Sequence, residues 1–139
     1  MQKQFEIIDH TADIGIIAYG SDLAALFKNA ALGMLSLITD LHKVENRLRK
    51  EIVLQEQDSV TLLVAWLNGL LYELETEHFI FNDFALDMRD GKRLAATCYG
   101  EKLDPQKHAI RREIKAATYH NLNIVKEDDV YSAAIIFDI

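Results

Sequence analysis

The sequence predicts one α+β domain over residues 1–139, a mostly antiparallel or mixed β-sheet built from hairpins with two helices packed on it. Two segments carry apolar residues at three- and four-residue spacing, the signature of a helix with one buried stripe. The remaining apolar sequence falls into short runs bounded by turn residues, which read as strands. Those runs mostly follow one another as hairpins instead of alternating with helices, and that order separates an α+β sheet from a parallel, doubly wound one.

Phe5-Glu6-Ile7-Ile8 reads as a first strand and Ile14 to Tyr19 as a second, closed by Gly20. Ser21-Asp22 supplies a helix N-cap, because a side-chain oxygen there can accept from the unpaired amides of the first turn. Leu23, Leu26, Phe27, Ala30, Ala31, Met34, Leu35 and Ile38 then form one stripe. The small residues Ala24, Ala25, Ala30, Ala31 and Gly33 suit close packing on a sheet. A strand follows at Leu48 to Leu54, and Asp58-Ser59 caps a second helix running to about Glu75. Its buried side holds Leu62, Leu63, Trp66, Leu67, Leu70, Leu71 and Leu74. Phe79 to Met88 and Lys92 to Tyr99 flank Arg89-Asp90-Gly91, a strong hairpin signal. Residues 100–108, around Asp104-Pro105, read as a loop. Ile110 to Val125 and Val130 to Phe137 are expected to form a closing hairpin across residues 126–129.

Composition narrows the function classes. No apolar run approaches the roughly 20 residues that cross a bilayer, and the N-terminal residues offer no signal-peptide core. A single cysteine, Cys98, excludes an intramolecular disulfide and suits a reducing cytoplasm. It also excludes a multi-cysteine zinc site. The net charge of −7 argues against a broad phosphate-binding face, so no direct nucleic-acid binding is expected and any nucleic acid would arrive through a partner. Two basic clusters, Lys43, Arg47, Arg49, Lys50 and Lys107, Arg111, Arg112, Lys115, read as solvated faces. Cys98, within Ala95-Ala96-Thr97-Cys98-Tyr99, reads as a packed, inert thiol. His42, His78 and His108 stand alone near element ends and read as surface or capping residues.

Three features could carry chemistry. Asp9-His10-Thr11-Ala12-Asp13 lies between the first two strands. It is either a turn whose carboxylates cap backbone amides, which the local sequence favours, or part of an oxygen-rich ligand set for a hard cation. Ile135-Ile136-Phe137-Asp138-Ile139 continues an apolar strand to the last residue, so that end is expected to be tied down. The Asp138 carboxylate then sits beside the α-carboxylate of Ile139, and two fixed anions need a compensating cation or solvent. In Glu113 to His120, strand alternation would place Lys115, Ala117 and Tyr119 on one side and Ala116, Thr118 and His120 on the other. Lys115 or His120 could then counter the acidic site or simply face solvent.

Together these motifs resemble the archease family. Asp9-His10-Thr11-Ala12-Asp13-Ile14-Gly15, Lys115-Ala116-Ala117-Thr118-Tyr119-His120 and Phe137-Asp138-Ile139 carry the resemblance, and Trp66-Leu67-Asn68-Gly69-Leu70-Leu71-Tyr72 is similar to the family's second helix. Gly69 stands where that family would have an acidic residue, and Val130-Tyr131 where a tryptophan is common. The resemblance implies an archease-like fold and an accessory protein for the GTP-dependent RtcB-type RNA ligase of tRNA splicing and RNA repair. Such a protein promotes guanylylation and multiple turnover of the ligase without catalysing a reaction itself. It also implies a divalent-ion site, for Ca²⁺, Mg²⁺ or Mn²⁺, formed by Asp13, Asp138 and the carboxylate of Ile139. His10 would support that site, Lys115 matches a lysine implicated in ligase activation, and Asp9 belongs to the turn. Two other readings stay open: a metal-dependent phosphoester hydrolase using Asp9, His10 and Asp13, and a general chaperone or interaction module.

Overall fold

A computed structural model describes residues 3–9 and 13–139. Eight strands and two helices follow the order β1 (Phe5–Asp9), β2 (Ile14–Gly20), α1 (Leu23–Ile38), β3 (Leu48–Gln55), α2 (Ser59–Glu77), β4 (Phe79–Arg89), β5 (Arg93–Lys102), β6 (Ala116–Ala117), β7 (Ile124–Glu127) and β8 (Val130–Asp138). A short 3₁₀ turn, Leu41–Lys43, follows α1. The strands form two antiparallel sheets. One has the order β1-β2-β8-β6, with β7 also paired to β8; the other has the order β3-β5-β4.

Local chemistry sets the element ends. Asp22 Oδ1 accepts from the Ala25 amide at 2.7 Å and starts α1. Asp58 Oδ1 does the same for α2 through Thr61 at 2.8 Å. The second helix ends at His78, whose left-handed backbone (φ 58°) turns its N–H back onto the Glu73 carbonyl. The reading of His78 as a capping residue therefore holds. Asp90 and Gly91 are both left-handed (φ 58° and 64°) in the β4–β5 connection. Gly91 is needed there for a second reason, since a Cβ would fall 2.6 Å from Ser59 Oγ, the hydroxyl that donates to the Gly91 carbonyl at 2.7 Å. That bond docks the hairpin on the start of α2.

Both helices touch both sheets. The first lies against β1, β2 and β8 on one side and β4 on the other; the second lies against β6 and against β3, β4 and β5. Trp66 is fully buried where these parts meet. Its indole N–H donates to the Phe27 carbonyl of α1 at 3.0 Å, and its ring stands edge-on to Phe84 of β4, 5.4 Å between centroids. The polar end of the tryptophan is thus satisfied while its body fills the core, the arrangement a buried indole requires.

The segment between β5 and β8 departs from the expected hairpin. Residues 110–125 are not one strand: β6 spans Ala116–Ala117, the chain turns at Tyr119–Leu122, and β7 begins at Ile124. Left-handed Asn121 (φ 51°) lies in that turn, with the Leu122 amide donating to the Tyr119 carbonyl at 3.1 Å. The predicted alternation does not run on to Tyr119, which lies in the turn that follows β6; Lys115 and Tyr119 are exposed and Ala117 is buried. Only β7 and β8 form the hairpin, through Asp128 and Asp129, both left-handed. Among the described residues, no helix is long and apolar enough to cross a membrane.

Gly69 lies inside α2, and a Cβ added there would meet nothing within 4 Å. Glycine in a helix interior costs about 0.5–1 kcal/mol relative to alanine. Gly69→Ala is expected to raise unfolding stability by that amount, read as a shift of the urea midpoint with unchanged slope.

Candidate functional site

The C-terminal strand, β8, brings the candidate residues together. On one edge it pairs with β2 so that Ile14 faces Phe137. Continuing that register by one residue sets Asp13 across from Asp138. On its other edge Ala116 pairs with Asp138 and Ala117 with Phe137. Lys115, one residue earlier, therefore lies across from Ile139, and its amide donates to the Asp138 carbonyl at 2.8 Å. Four residues from three distant parts of the sequence meet at one end of the sheet. Ile14 and Phe137 are buried core residues, so the pleat directs Asp13 and Asp138 to the opposite, outer face. Lys115 and Ile139 follow the helix-facing side. Consistently, Lys115 lines a groove of about 600 Å³ with Ile38, Leu71, Leu74, Ile110 and Ile114.

Asp13 is half-buried, whereas Asp138 and Ile139 are exposed. His10 lies outside the described residues, as does the side chain of Asp9; the Asp9 backbone closes β1. Among the described residues no group of three or more His, Cys, Asp or Glu side chains could hold a metal ion. The donors expected from the sequence, the Asp13 and Asp138 carboxylates with the carboxylate of Ile139, would all be hard oxygens. That chemistry fits Ca²⁺, Mg²⁺ or Mn²⁺ and does not fit a soft ion.

Asn68 of α2 was not singled out by the sequence. Its Oδ1 accepts from the Ala117 amide at 2.8 Å, and its Nδ2 donates to the Ala117 carbonyl at 3.2 Å. One side-chain amide thus replaces a neighbouring strand on the outer edge of β6. The available signal was a lone amide inside the apolar run Trp66–Leu71.

A second polar cluster lies at the far end of the irregular segment. His108 is 1 % exposed, so of its reading as a surface or capping residue the surface part is corrected. Its Nδ1 accepts from the Asp104 amide at 2.9 Å. That bond leaves Nε2 to carry the proton and donate to Glu101 Oε2 at 3.0 Å. Glu101, also buried, accepts from Lys107 Nζ and from the Glu45 amide, each at 2.8 Å, and pairs with Arg47 at 3.4 Å. Burial alone would push the Glu101 carboxyl up. The hydrogen bonds from Lys107, Glu45 and His108 outweigh it and bring it down to about 2. The reading of both basic clusters as solvated faces is corrected in part as well, since Arg47 and Lys107 converge on this carboxylate and Lys50 pairs with the buried Glu73 at 2.7 Å. Asp-Pro spacing and a downstream histidine gave no sign that a glutamate of β5 would join them.

Cys98 is fully buried. Burial first, then the nearby Glu73 charge, pushes its thiol up to about 12 despite the opposing Lys50. It is a packed thiol, without the thiolate that nucleophilic chemistry needs.

Two antiparallel sheets backed by two helices, with the candidate residues gathered at the end of β8, define an α+β protein. The profile of the archease protein family matches residues 5–139. The chain belongs to the archease family. It is 40 % identical to the protein archease of Methanosarcina barkeri over 99 % of this chain and 97 % of that one. With the protein archease of Sulfurisphaera tokodaii it shares 39 % identity over the full length of both. The solution structure of protein 1598 from Methanobacterium thermoautotrophicum superposes with a TM-score of 0.83 at 36 % identity, covering 99 % of this chain and 100 % of that one. An archease from Thermotoga maritima, described as a possible chaperone, shares the fold with a TM-score of 0.66 at 21 % identity, covering 100 % of this chain and 98 % of that one.

The lowered Glu101 carboxyl makes a signed prediction. A depressed carboxylate contributes stability that is complete above its ordinary value of 4.5 and is lost as pH falls from there toward about 2. Melting temperature should therefore drop through that window, and Glu101→Gln should flatten this acid limb. Superimposable acid limbs for the two proteins would refute the assignment.

Proposed function

We propose that this protein activates a GTP-dependent RNA ligase of the RtcB type, promoting its guanylylation and repeated turnover without catalysing a reaction of its own. The observation that carries the reading is the register of β8, which sets Asp138 between the ends of β2 and β6 and so beside Asp13 and Lys115. Membership of the archease family supports it. In this reading Asp13, Asp138 and the α-carboxylate of Ile139 hold a divalent ion, with His10 as a supporting group. A hard ion at such a place supplies a Lewis-acidic centre for phosphate oxygens.

The protein's own residues have separable tasks. Asp13 and Asp138 place negative charge on the outer face of the sheet end, and Lys115 places a cation on the adjacent helix-facing side. A partner that handles RNA presents basic surface, and the net charge of −7 favours docking on such a partner over binding RNA directly. Lys115, exposed at the end of an irregular segment, is then available to the ligase and its nucleotide.

Asp13→Asn and Asp138→Asn are each expected to abolish stimulation of ligase guanylylation while the thermal unfolding transition persists. Residues appended after Ile139 should impair stimulation as severely, because the α-carboxylate is lost. Normal guanylylation time courses with either aspartate variant would overturn the reading. Phosphoester turnover by the isolated protein with Mn²⁺ would point instead to a hydrolase. Protection of unrelated clients from aggregation that ignores the aspartate substitutions would point to a general chaperone.

A further inference from the structure

We infer that Asn68 is a positioning residue for the candidate site, acting through the backbone of Ala117 to hold Lys115 and Asp138 in place; this rests on the activator reading. Strand β6 is two residues long and, among the described residues, pairs with β8 alone. So short a strand contributes few ladder bonds of its own. Upstream, residues 103–115 contain no helix or strand, and downstream the chain turns at Tyr119–Leu122. The flanks add bonds on the β8 edge alone, from the Lys115 amide to the Asp138 carbonyl at 2.8 Å and from the Thr118 amide and hydroxyl to the Ile136 carbonyl at 3.0 and 2.9 Å; they leave the outer edge of β6 open.

The amide of Asn68 supplies what the sheet does not. Ala117 is buried, so its outward N–H and C=O cannot rely on water. Asn68 satisfies both, at 2.8 and 3.2 Å, in the two-point manner of a paired strand. Its own place is fixed by Trp66 and Leu67, fully buried on the adjoining turn of α2. The rigid helix layer therefore sets the position of Ala117. Ala117 in turn sits opposite Phe137, and the Lys115 amide closes onto the Asp138 carbonyl. Lys115 and Asp138 are coupled through the short β6–β8 pairing, and Asn68 is its support on the outer edge. Only an amide of this length does the work: aspartate cannot donate to the Ala117 carbonyl, and glutamine would push the strand away by a methylene.

Two measurements decide the matter, on Asn68→Ala and on Asn68→Asp as the second variant. In Asn68→Ala, amide hydrogen exchange at Ala117 should quicken roughly thirtyfold, the ratio expected for two lost hydrogen bonds; Asn68→Asp, which keeps the acceptor and loses the donor, should give a smaller rise. Ile16 and Ile135, in the β2–β8 core, should keep their protection, as should the Trp66 fluorescence. With the ligase, maximal guanylylation at saturating activator should fall several-fold, with a smaller change in the concentration giving half-maximal effect. A general loss of stability would instead move core protection and half-maximal concentration together. Unchanged exchange at Ala117 overturns the inference, and so does full stimulation by both Asn68 variants where Asp138→Asn is inactive. Full stimulation by Asp138→Asn would remove the activator reading itself, and this inference with it.

Discussion

The whole candidate site depends on β8 being paired along both edges. A strand with one neighbour could bring Asp138 to Asp13 or to Lys115; a strand with two brings it to both. The side-chain period of two makes that arrangement intolerant of slippage. A one-residue shift would turn Ile135 and Phe137 out of the core and Asp138 into it. Burial of those two residues therefore enforces the placement of the acidic group. Hydrophobic burial, which has no direction of its own, acquires one through the pleat.

The helices convert this register into a rigid frame. Trp66 links α1 through the Phe27 carbonyl and the second sheet through Phe84. Two residues further along the same helix, Asn68 reaches the first sheet. One turn of α2 thus ties together the two sheets and the other helix. The Glu101 cluster fastens the opposite end of the irregular segment, with Thr39 donating to the Ala109 carbonyl and Arg111 to the Ile38 carbonyl between them. A stretch without regular structure is held at successive points, so its exposed lysine need not be loosely placed.

Much of this was legible in the sequence, and unevenly so. Periodic apolar stripes and Asp caps located both helices, with only the end of α2 extended from about Glu75 to Glu77. Short apolar runs and the Asp90-Gly91 pair located β1 to β5. Residues 110–125 misled because their apolar residues are spaced for packing against neighbours, as Ile114 and Leu122 are, and not for a ladder. The approach of Asp13 to Asp138 could be suspected from two polar sites at strand ends, but only pairing across the sheet brings them together. Asn68 escaped because its bond to Ala117 spans 49 residues of sequence, and the Glu101–His108 pair because nothing in the local sequence marks Glu101 as a buried carboxylate, although His108 lies only seven residues on. Composition and spacing carry no record of such partners.

The order of the strands along the chain has a kinetic side. The β2–β8 pairing joins residues 14–20 to residues 131–137, across nearly the whole sequence. Contacts of such long separation are slow to form, because the loop-closure entropy is spent before the contact rewards it. The three-stranded sheet and both helices lie between those segments and close over shorter distances. During synthesis they can fold while β2 still lacks its inner neighbour. Until β8 arrives, β2 has β1 on one edge and an open row of amides and carbonyls on the other, a surface prone to wrong pairing. The strand that seals this edge also carries Asp138, so the acidic end is assembled in the same step that covers the open edge of β2.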